Sequence, residues 1–315
     1  MHSLEAEFRT LHAQGVLDDA TATRVVAIER GDMFPVHREV RALLYGGVLL
    51  VTVGVGTLLA RNLDRLGPAA ITVGIAIVAA LAAAPAWRAR RTGRPLGPGA
   101  DYLLLLAVLL AGADLGYAEA QFRLLGPAWP WHFAIVAVAS AVVAHVFDSK
   151  LVLAVSLASL AAWFGVGASG ADPSRLWSGG VEFGARALSC ATLVAAWKVA
   201  DLRLRPQTRF GAVFDHYAAT LAYWGALAWC LRSGWSWAGL PIVGVLSAVS
   251  VRHGLLASSE SFIVYGVGYA ALGLCFVVLP EIDDTRTAAA VALVVVAVAS
   301  AAIWGLRRRM KERDA

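Results

Sequence analysis

Two ionisable residues lie inside long apolar stretches of the sequence. Asp114 lies in the stretch 101–121, and Arg186 lies in the stretch 180–200. A charged side chain inside a membrane costs roughly 3 kcal/mol by insertion scales, so each needs a partner or a function. If the two stretches are helices that cross a membrane in opposite directions, Asp114 lies ~10 Å and Arg186 ~9 Å below the same surface. The sequence therefore predicts matching depths for these two residues.

Several polar residues share helical faces with this pair. Asp114, Tyr117 and Gln121 are spaced i, i+3, i+7, and Glu182 precedes Arg186 by four residues. Gly112 and Gly116 form a small-xxx-small pair that lets a second helix approach closely. We expect the two faces to meet in one outer polar cluster of Asp114, Tyr117, Gln121, His132, Glu182 and Arg186. The alternatives are an ion pair that only fixes helix register and binds nothing, and no contact at all.

A second polar set lies where apolar stretches end on the other side. It contains Asp201, Asp215, His216 and Glu260. Asp215 and His216 open an apolar stretch, where a carboxylate favours the positive end of the helix dipole. The simplest interpretation of this set is solvated helix ends.

The segment Gly167-Ala168-Ser169-Gly170 has the GxSG spacing found around the nucleophile of rhomboid intramembrane proteases. An intramembrane serine protease is therefore a remote alternative. However, Ser169 ends an apolar stretch, and we expect His216 and His253 on the opposite side of the membrane, too far away to activate it. The His, Cys and carboxylate residues show no metal-ligand spacing, and no nucleotide-binding fingerprint is present. The sequence implies no metal, no cofactor and no catalytic residue.

The composition predicts a membrane protein. The 315 residues are 59% hydrophobic and only 16% charged, with a mean hydropathy of +0.66. Soluble domains are about half apolar and a quarter charged. Three cysteines inside apolar stretches exclude a disulfide scaffold. The net charge of +5 indicates no nucleic-acid partner, because the basic residues lie beside apolar stretches without interleaved aromatic residues.

Ten apolar stretches predict an all-α, polytopic bundle of about ten transmembrane helices. Most of them approach the ~20 residues that a helix needs to cross the hydrocarbon layer. The eighth is short and contains Pro241 and Gly244, so we expect it to tilt, break or lie partly in the interface. The stretches are 42–60, 68–87, 101–121, 130–147, 151–168, 180–200, 211–231, 237–251, 260–280 and 286–306.

The basic residues predict the orientation of these helices. With the N-terminus inside, 20 of the 27 Lys and Arg residues fall on the inner side and 6 on the outer side, while Arg186 lies within a stretch. This bias follows the positive-inside rule and predicts cytoplasmic termini in a bacterial inner membrane. Tryptophans near the ends of the stretches agree with it, since indole rings favour membrane interfaces.

The two ends of the chain differ from its apolar middle. Residues 1–40 are charged and periodic at helical spacing, which predicts a cytosolic helical hairpin that is retained rather than cleaved. Residues 41–306 form the predicted transmembrane domain, and residues 307–315 form a basic cytosolic tail.

The segment 43–65, LLYGGVLLVTVGVGTLLARNLDR, follows this charged hairpin. It contains most of the first apolar stretch and has Asn62 and Leu63 near its end. With the segment from Tyr117 to Phe122, it resembles the bacterial membrane proteins catalogued as domain of unknown function twenty-one fifty-seven. In that family a helical pair precedes a glycine-rich first span with an Asn-Trp-like end. Leu63 stands here in place of the usual Trp. The resemblance covers the first half of the chain and implies a polytopic inner-membrane protein without a known activity.

Two functional classes fit these observations. Ten helices with both ends inside permit two inverted halves of five, as in many transporters, and the drug and metabolite exporters share this length and topology. That class predicts capture of a small solute or lipid at the outer polar cluster. The other class is a non-catalytic scaffold, whose cytosolic hairpin exposes Phe8, Leu11 and Val25 to a protein partner.

Overall fold

The computed structural model describes residues 37–62, 67–165, 180–205, 209–231, 234 and 236–314. These ranges contain ten α-helices and no strand, which confirms the predicted all-helical membrane bundle. In chain order, the helices are α1 (His37–Asn62), α2 (Pro68–Arg91), α3 (Pro98–Phe122), α4 (Trp131–Phe147), α5 (Lys150–Trp163), α6 (Gly180–Leu204), α7 (Gly211–Cys230), α8 (Ser236–Leu256), α9 (Glu260–Val278) and α10 (Thr285–Asp314).

Short, well-defined turns join several of these helices. Proline occupies the first position of both α2 and α3, where no intrahelical N–H partner is needed. Between α4 and α5, Asp148 adopts a left-handed conformation with φ of 53°, and the Ser149 hydroxyl accepts a hydrogen bond from the Val152 N–H. Such turns return the chain at once, so successive helices run antiparallel.

Hydrogen bonds show which helix ends lie together at one end of the bundle. Arg90 at the end of α2 donates to the carbonyl of Val146 at the end of α4, and Ser149 donates to Asp101 of α3 at 2.5 Å. We call this the basic end, because it carries Arg88, Arg90, Arg91, Arg94, Lys150, Lys198, Arg203, Arg205, Arg209, Arg252 and Arg307. The other end is called the opposite end.

Among the residues that the structure describes, five helical segments are long and apolar enough to cross a membrane. They are Pro68–Arg91, Pro98–Phe122, Ala238–Leu256, Glu260–Glu281 and Thr285–Met310, and shorter apolar helices occupy Leu43–Gly54, Trp131–Phe147 and Lys150–Trp163. The eighth predicted stretch forms a longer helix than expected, because α8 is continuous through Pro241. The fifth is shorter than expected, since its helix ends at Trp163.

The predicted boundaries of the terminal segments differ from the helices. Residues 37–40, expected in the hairpin, are the first turn of α1, and residues 1–36 lie outside the described ranges. Residues 307–314, expected as a separate tail, continue α10 without a break.

Three apolar clusters hold the bundle together. The first joins α1, α2 and α3 through Val48, Ile71 and Leu105. The second lies at the centre, where Leu153 of α5, Val194 of α6 and Phe214 of α7 are fully buried. The third joins α7 and α8 around Ala226 and Val243, with Tyr269 of α9 packed against it.

The helices α6 and α7 approach each other closely at two glycines. A Cβ atom added to Gly184 would lie 2.8 Å from the Gly225 carbonyl oxygen, and one added to Gly225 would lie 2.9 Å from the Gly184 carbonyl oxygen. Trp229 donates to the Val181 carbonyl at 3.0 Å beside this crossing. Small residues permit such close backbone packing inside membranes, where packing rather than the hydrophobic effect drives helix association.

We predict that Gly184→Ala destabilises the protein by about 1–3 kcal/mol, the usual cost of overpacking. The matched control is Gly74→Ala in α2, where an added Cβ meets no atom within 4 Å. The thermal midpoint of the detergent-purified protein should fall for Gly184→Ala and hold or rise for Gly74→Ala, because Ala is the better helix former. Equal midpoints for the two variants would show that the crossing is loose.

Asp284 caps the N-terminus of α10, outside the apolar segments. Its carboxylate accepts hydrogen bonds from the Thr287 hydroxyl at 2.6 Å, the Thr287 N–H at 2.9 Å and the Arg286 N–H at 3.3 Å. The hydroxyl bond, followed by the backbone bonds, holds the pKa of Asp284 below its ordinary value. A lowered pKa adds stability above the ordinary pKa, and this stability is lost as the pH falls through the folded-state value.

We therefore predict that the wild type has a higher thermal midpoint than Asp284→Asn at neutral pH, and that the difference shrinks between about pH 5 and pH 3. Asn keeps the cap but does not titrate. The neighbouring exposed Asp283→Asn is the control and should show no such convergence. A gap that stays constant with pH would contradict the assignment.

Candidate functional site

The helix α3 presents two polar faces to different parts of the bundle. On one face, a Cβ atom added to Gly112 would contact Val136 of α4 at 3.6 Å. Gly116, Glu119 and Arg123 continue this face toward the opposite end. Asp114 and Tyr117 lie on the other side of the helix, where Tyr117 packs against the α1–α3 cluster.

A pocket of about 680 Å³ lies where the first of these faces meets the start of α4. We call it the opposite-end pocket. Its lining residues are Gly116, Glu119, Ala120, Arg123, Gly126, Pro127, Trp129 and His132. The pocket therefore combines a guanidinium group, a carboxylate, an imidazole and an indole ring at one end of the bundle.

The turn between α3 and α4 fixes these groups. Glu119 accepts hydrogen bonds from the backbone N–H groups of Leu125 at 2.7 Å and Gly126 at 3.0 Å, so both carboxylate oxygens are engaged. The ring of His132 stacks on Trp129 at 5.6 Å, and its Nδ1 lies 2.9 Å from the Trp129 carbonyl oxygen. Arg123 ends α3 in a left-handed conformation with φ of 50°.

One carboxylate oxygen of Asp114 and the hydroxyl of Tyr117 are buried without hydrogen bonds. Asp114 Oδ1 and the Tyr117 hydroxyl have no partner within the described structure. A buried polar group without a partner costs free energy, so these two atoms have unused capacity for a ligand or for water. Gln121, the third residue of this face, is exposed.

Glu182 and Arg186 form the predicted i, i+4 pair on α6. Their closest atoms are 3.4 Å apart, and the side chains are 78% and 55% exposed respectively. Arg186 also lies against Gly165 at the end of α5. Because both side chains are exposed, this pair is of the kind that contributes about 0–1 kcal/mol.

The six residues of the predicted outer cluster are therefore distributed over three places. His132 lines the pocket, Asp114 and Tyr117 lie across α3 from it, and Arg186 pairs with Glu182 on α6. Asp114 and Arg186 are not joined by an ion pair, because α3 packs mainly on α2 and α1 and α6 packs mainly on α7. The sequence predicts how deep Asp114 and Arg186 lie in the membrane, but not the direction in which each side chain points. That direction depends on the rotation of each helix, which its packing decides.

Sequence reasoning did not select Glu119 and Arg123, although both line the pocket. The available signal was the spacing of Gly112, Gly116, Glu119 and Arg123, which repeats every three or four residues. Glu119 and Arg123 lie near a helix end, where charged residues are ordinary, so the pattern did not stand out.

A buried polar pair joins α4 and α6 at the basic end. His145 Nε2 lies 3.0 Å from Asp201 Oδ1, and the two side chains are 17% and 5% exposed. The other nitrogen, Nδ1, lies 2.8 Å from the Ala141 carbonyl oxygen. Both ring nitrogens thus face oxygen atoms of the protein. Trp197 stacks on the His145 ring at 6.1 Å and shields the pair.

Other carboxylates of the second polar set also have partners. Lys198 Nζ of α6 donates to Asp215 Oδ1 of α7 at 2.5 Å. Arg307 Nη2 of α10 lies 3.2 Å from Glu260 Oε2 of α9. The interpretation as solvated helix ends is therefore wrong for Asp201, which is buried. In the sequence, Asp201 follows an apolar stretch and precedes basic residues. Nothing in this pattern points to His145, which is 56 residues away.

The remaining sequence candidates are two histidines and the GxSG segment. His216 and His253 both pack on Phe262 near the basic end, with ring centroids 5.0 and 4.7 Å away. The GxSG segment with Ser169 lies outside the described residues. Within the described ranges, no group of three or more His, Cys, Asp or Glu residues could hold a metal ion.

Comparison with known proteins supports the membrane assignment. Residues 9–153 match DUF2157, a family of predicted membrane proteins. The match confirms the resemblance and extends from the expected hairpin to the first turn of α5, so it includes the opposite-end pocket. No curated protein and no solved structure matches the chain. The chain is thus a membrane protein with several apolar helices, and the family description names no activity.

We predict that His145→Ala lowers the free energy of unfolding by about 3 kcal/mol, because it leaves the Asp201 carboxylate buried without its partner. Arg186→Ala, which breaks the exposed pair with Glu182, should change it by less than about 1 kcal/mol. Thermal midpoints from size-exclusion chromatography of heated, detergent-purified protein would measure both. A larger loss for Arg186→Ala than for His145→Ala would contradict the structural role of the buried pair.

Proposed function

We propose that this chain is an integral membrane protein that captures a small solute or a lipid-related molecule at the opposite-end pocket, as a transporter or a lipid-handling protein. The observation that carries the proposal is the pocket of about 680 Å³ lined by Arg123, Trp129 and His132. Ligand sites are typically concave and contain a few polar groups among apolar walls.

The lining chemistry favours an anionic or amphiphilic ligand. The Arg123 guanidinium can donate two parallel hydrogen bonds to a carboxylate or phosphate. Glu119 is held by two backbone N–H groups, so it shapes the pocket rather than presenting free acceptors. The stacked rings of Trp129 and His132 offer an apolar wall with polar edges, which suits a molecule with both characters.

Gly116 lines the pocket on α3. A Cβ atom added there would meet no other atom within 4 Å, so the space beside α3 is open. Asp114 and Tyr117 lie on the far side of this helix, within the membrane-spanning length. Their unpaired polar atoms, Asp114 Oδ1 and the Tyr117 hydroxyl, are therefore not part of the pocket.

The orientation is part of the same proposal. We propose a bacterial inner membrane with the basic end and both termini in the cytoplasm, because basic residues are retained on that side of membranes. The opposite-end pocket then opens to the outside. The alternative of a scaffold that uses the N-terminal hairpin to bind a protein partner stays a prediction, since residues 1–36 lie outside the described ranges.

The test uses Ala120→Cys, a pocket position, in a variant whose Cys190, Cys230 and Cys275 are replaced by Ala or Ser. A membrane-impermeant maleimide added to intact cells should label Ala120→Cys, because this side chain is exposed at the outer side in the proposal. Citrate or dihexanoyl phosphatidylglycerol should slow the labelling. Arg123→Gln should remove this protection, because it removes the anion-binding guanidinium.

Two matched controls accompany this experiment. Ala118→Cys on the same helix is buried and should stay unlabelled, and Arg286→Gln removes an exposed arginine elsewhere at the same end without reducing the protection. Labelling of Ala120→Cys only after permeabilisation would overturn the orientation. Labelling that neither probe slows would overturn ligand capture by this pocket.

A further inference from the structure

A second polar cavity, of about 500 Å³, lies at the basic end between the turn after α2 and the end of α4. We call it the arginine cavity. Three arginines line it, Arg90, Arg94 and Arg209, together with one carboxylate, that of Asp148. It lies at the other end of the bundle from the opposite-end pocket and shares no lining residue with it.

Arg90 is held in place by two contacts. Its Nη1 donates to the Val146 carbonyl, and its guanidinium lies 5.6 Å from the centroid of the Phe147 ring. A guanidinium has five N–H donors, so one bond to a carbonyl leaves most of them for a ligand. The side chain is therefore positioned before any ligand binds.

The backbone positions the second arginine. Gly93 has a φ of 63°, and the N–H groups of Gly93 and Arg94 donate to the carbonyls of Arg90 and Ala89, which is a Schellman ending of α2. This turn brings Arg94 to the mouth of the cavity. Arg209 comes from another part of the chain and is adjacent to Phe210, which is 1% exposed and anchors that segment in the central cluster.

The cavity has an uncompensated positive charge. Three guanidinium groups face one carboxylate, and the ion pairs found among the described residues involve other groups. Clustered arginines bind phosphate oxygens with paired hydrogen bonds. Basic pockets between membrane helices are suited to phosphate head groups.

We propose that the arginine cavity is a binding site for a phosphate group, either the head group of an anionic phospholipid or a free phosphate. Arg90, Arg94 and Arg209 donate to the phosphate oxygens. Asp148 limits the affinity through its negative charge. This site does not depend on capture of a ligand at the opposite-end pocket.

The test measures binding to the purified full-length chain by native mass spectrometry in detergent. The lipid probes are phosphatidylglycerol, which is anionic, and phosphatidylcholine, which is not. Loss of an arginine that donates to the bound phosphate should weaken binding about fivefold, so Arg94→Gln combined with Arg209→Gln should weaken phosphatidylglycerol binding about 25-fold. Binding of phosphatidylcholine should be weak in both proteins.

The matched control combines Arg203→Gln with Arg252→Gln. These arginines are exposed at the same basic end but do not line the cavity, and their removal changes the net charge equally. Phosphatidylglycerol affinity should be unchanged in this control. An equal loss in both double variants, or no loss in either, would overturn the proposal.

A separate arm identifies the source of the phosphate. Inorganic phosphate titrated by calorimetry should bind with the same dependence on Arg94 and Arg209 if the natural ligand is soluble, and should bind poorly if the lipid tails contribute. Phosphatidylglycerol and inorganic phosphate both failing to bind would overturn the site.

Asp148→Asn provides a variant that acts in the other direction. Asn tolerates the left-handed conformation of residue 148, so the fold is kept while the negative charge is lost. Phosphate or phosphatidylglycerol affinity should rise. Unchanged or weaker binding would contradict the proposal, even if the double arginine variant failed to fold.

Discussion

The close approach of neighbouring helices at glycines is the constraint on which the rest of this structure depends. Gly184 and Gly225 bring the backbones of α6 and α7 together, and Gly239 does the same for α8 against α7, where an added Cβ would lie 2.6 Å from the Cys230 nitrogen. A Cβ atom added to Gly266 of α9 would lie 2.8 Å from the Ser247 carbonyl oxygen of α8. Since apolar surface gains little by leaving lipid for protein, such backbone fit must supply much of the packing energy.

This packing sets the rotation of each helix about its axis. The rotation in turn decides which surroundings each polar side chain has. The face of α3 that carries Gly112 turns toward α4, which places Glu119 and Arg123 in the opposite-end pocket. The same rotation directs Tyr117 into the α1–α3 cluster. A polar residue in a spanning helix therefore gains its environment from the packing of its helix, and not from its depth alone.

The two ends of the bundle use their polar residues differently. At the basic end, carboxylates pair with side chains of neighbouring helices. Asp201 pairs with His145, and Asp215 pairs with Lys198. The arginines outnumber these carboxylates, and three of them line the arginine cavity. At the opposite end, Glu119 accepts hydrogen bonds from two backbone N–H groups. Arg123 and His132 line the pocket beside it. Each end thus presents arginine side chains, but with different aromatic neighbours.

The sequence by itself determined the helical class, the approximate positions of ten helices and the membrane setting, because hydrocarbon requires long apolar segments whose backbone groups are paired internally. It also determined the charge asymmetry between the two ends. Only the tertiary structure decided which polar residues meet. His145 and Asp201 are 56 residues apart, and Arg94 and Arg209 come from distant segments. Spacing along one helix predicts neighbours at i+3 and i+4, as for Glu182 and Arg186. Contacts between helices depend on rotations that small differences in packing decide, and a single sequence does not encode these in a readable pattern.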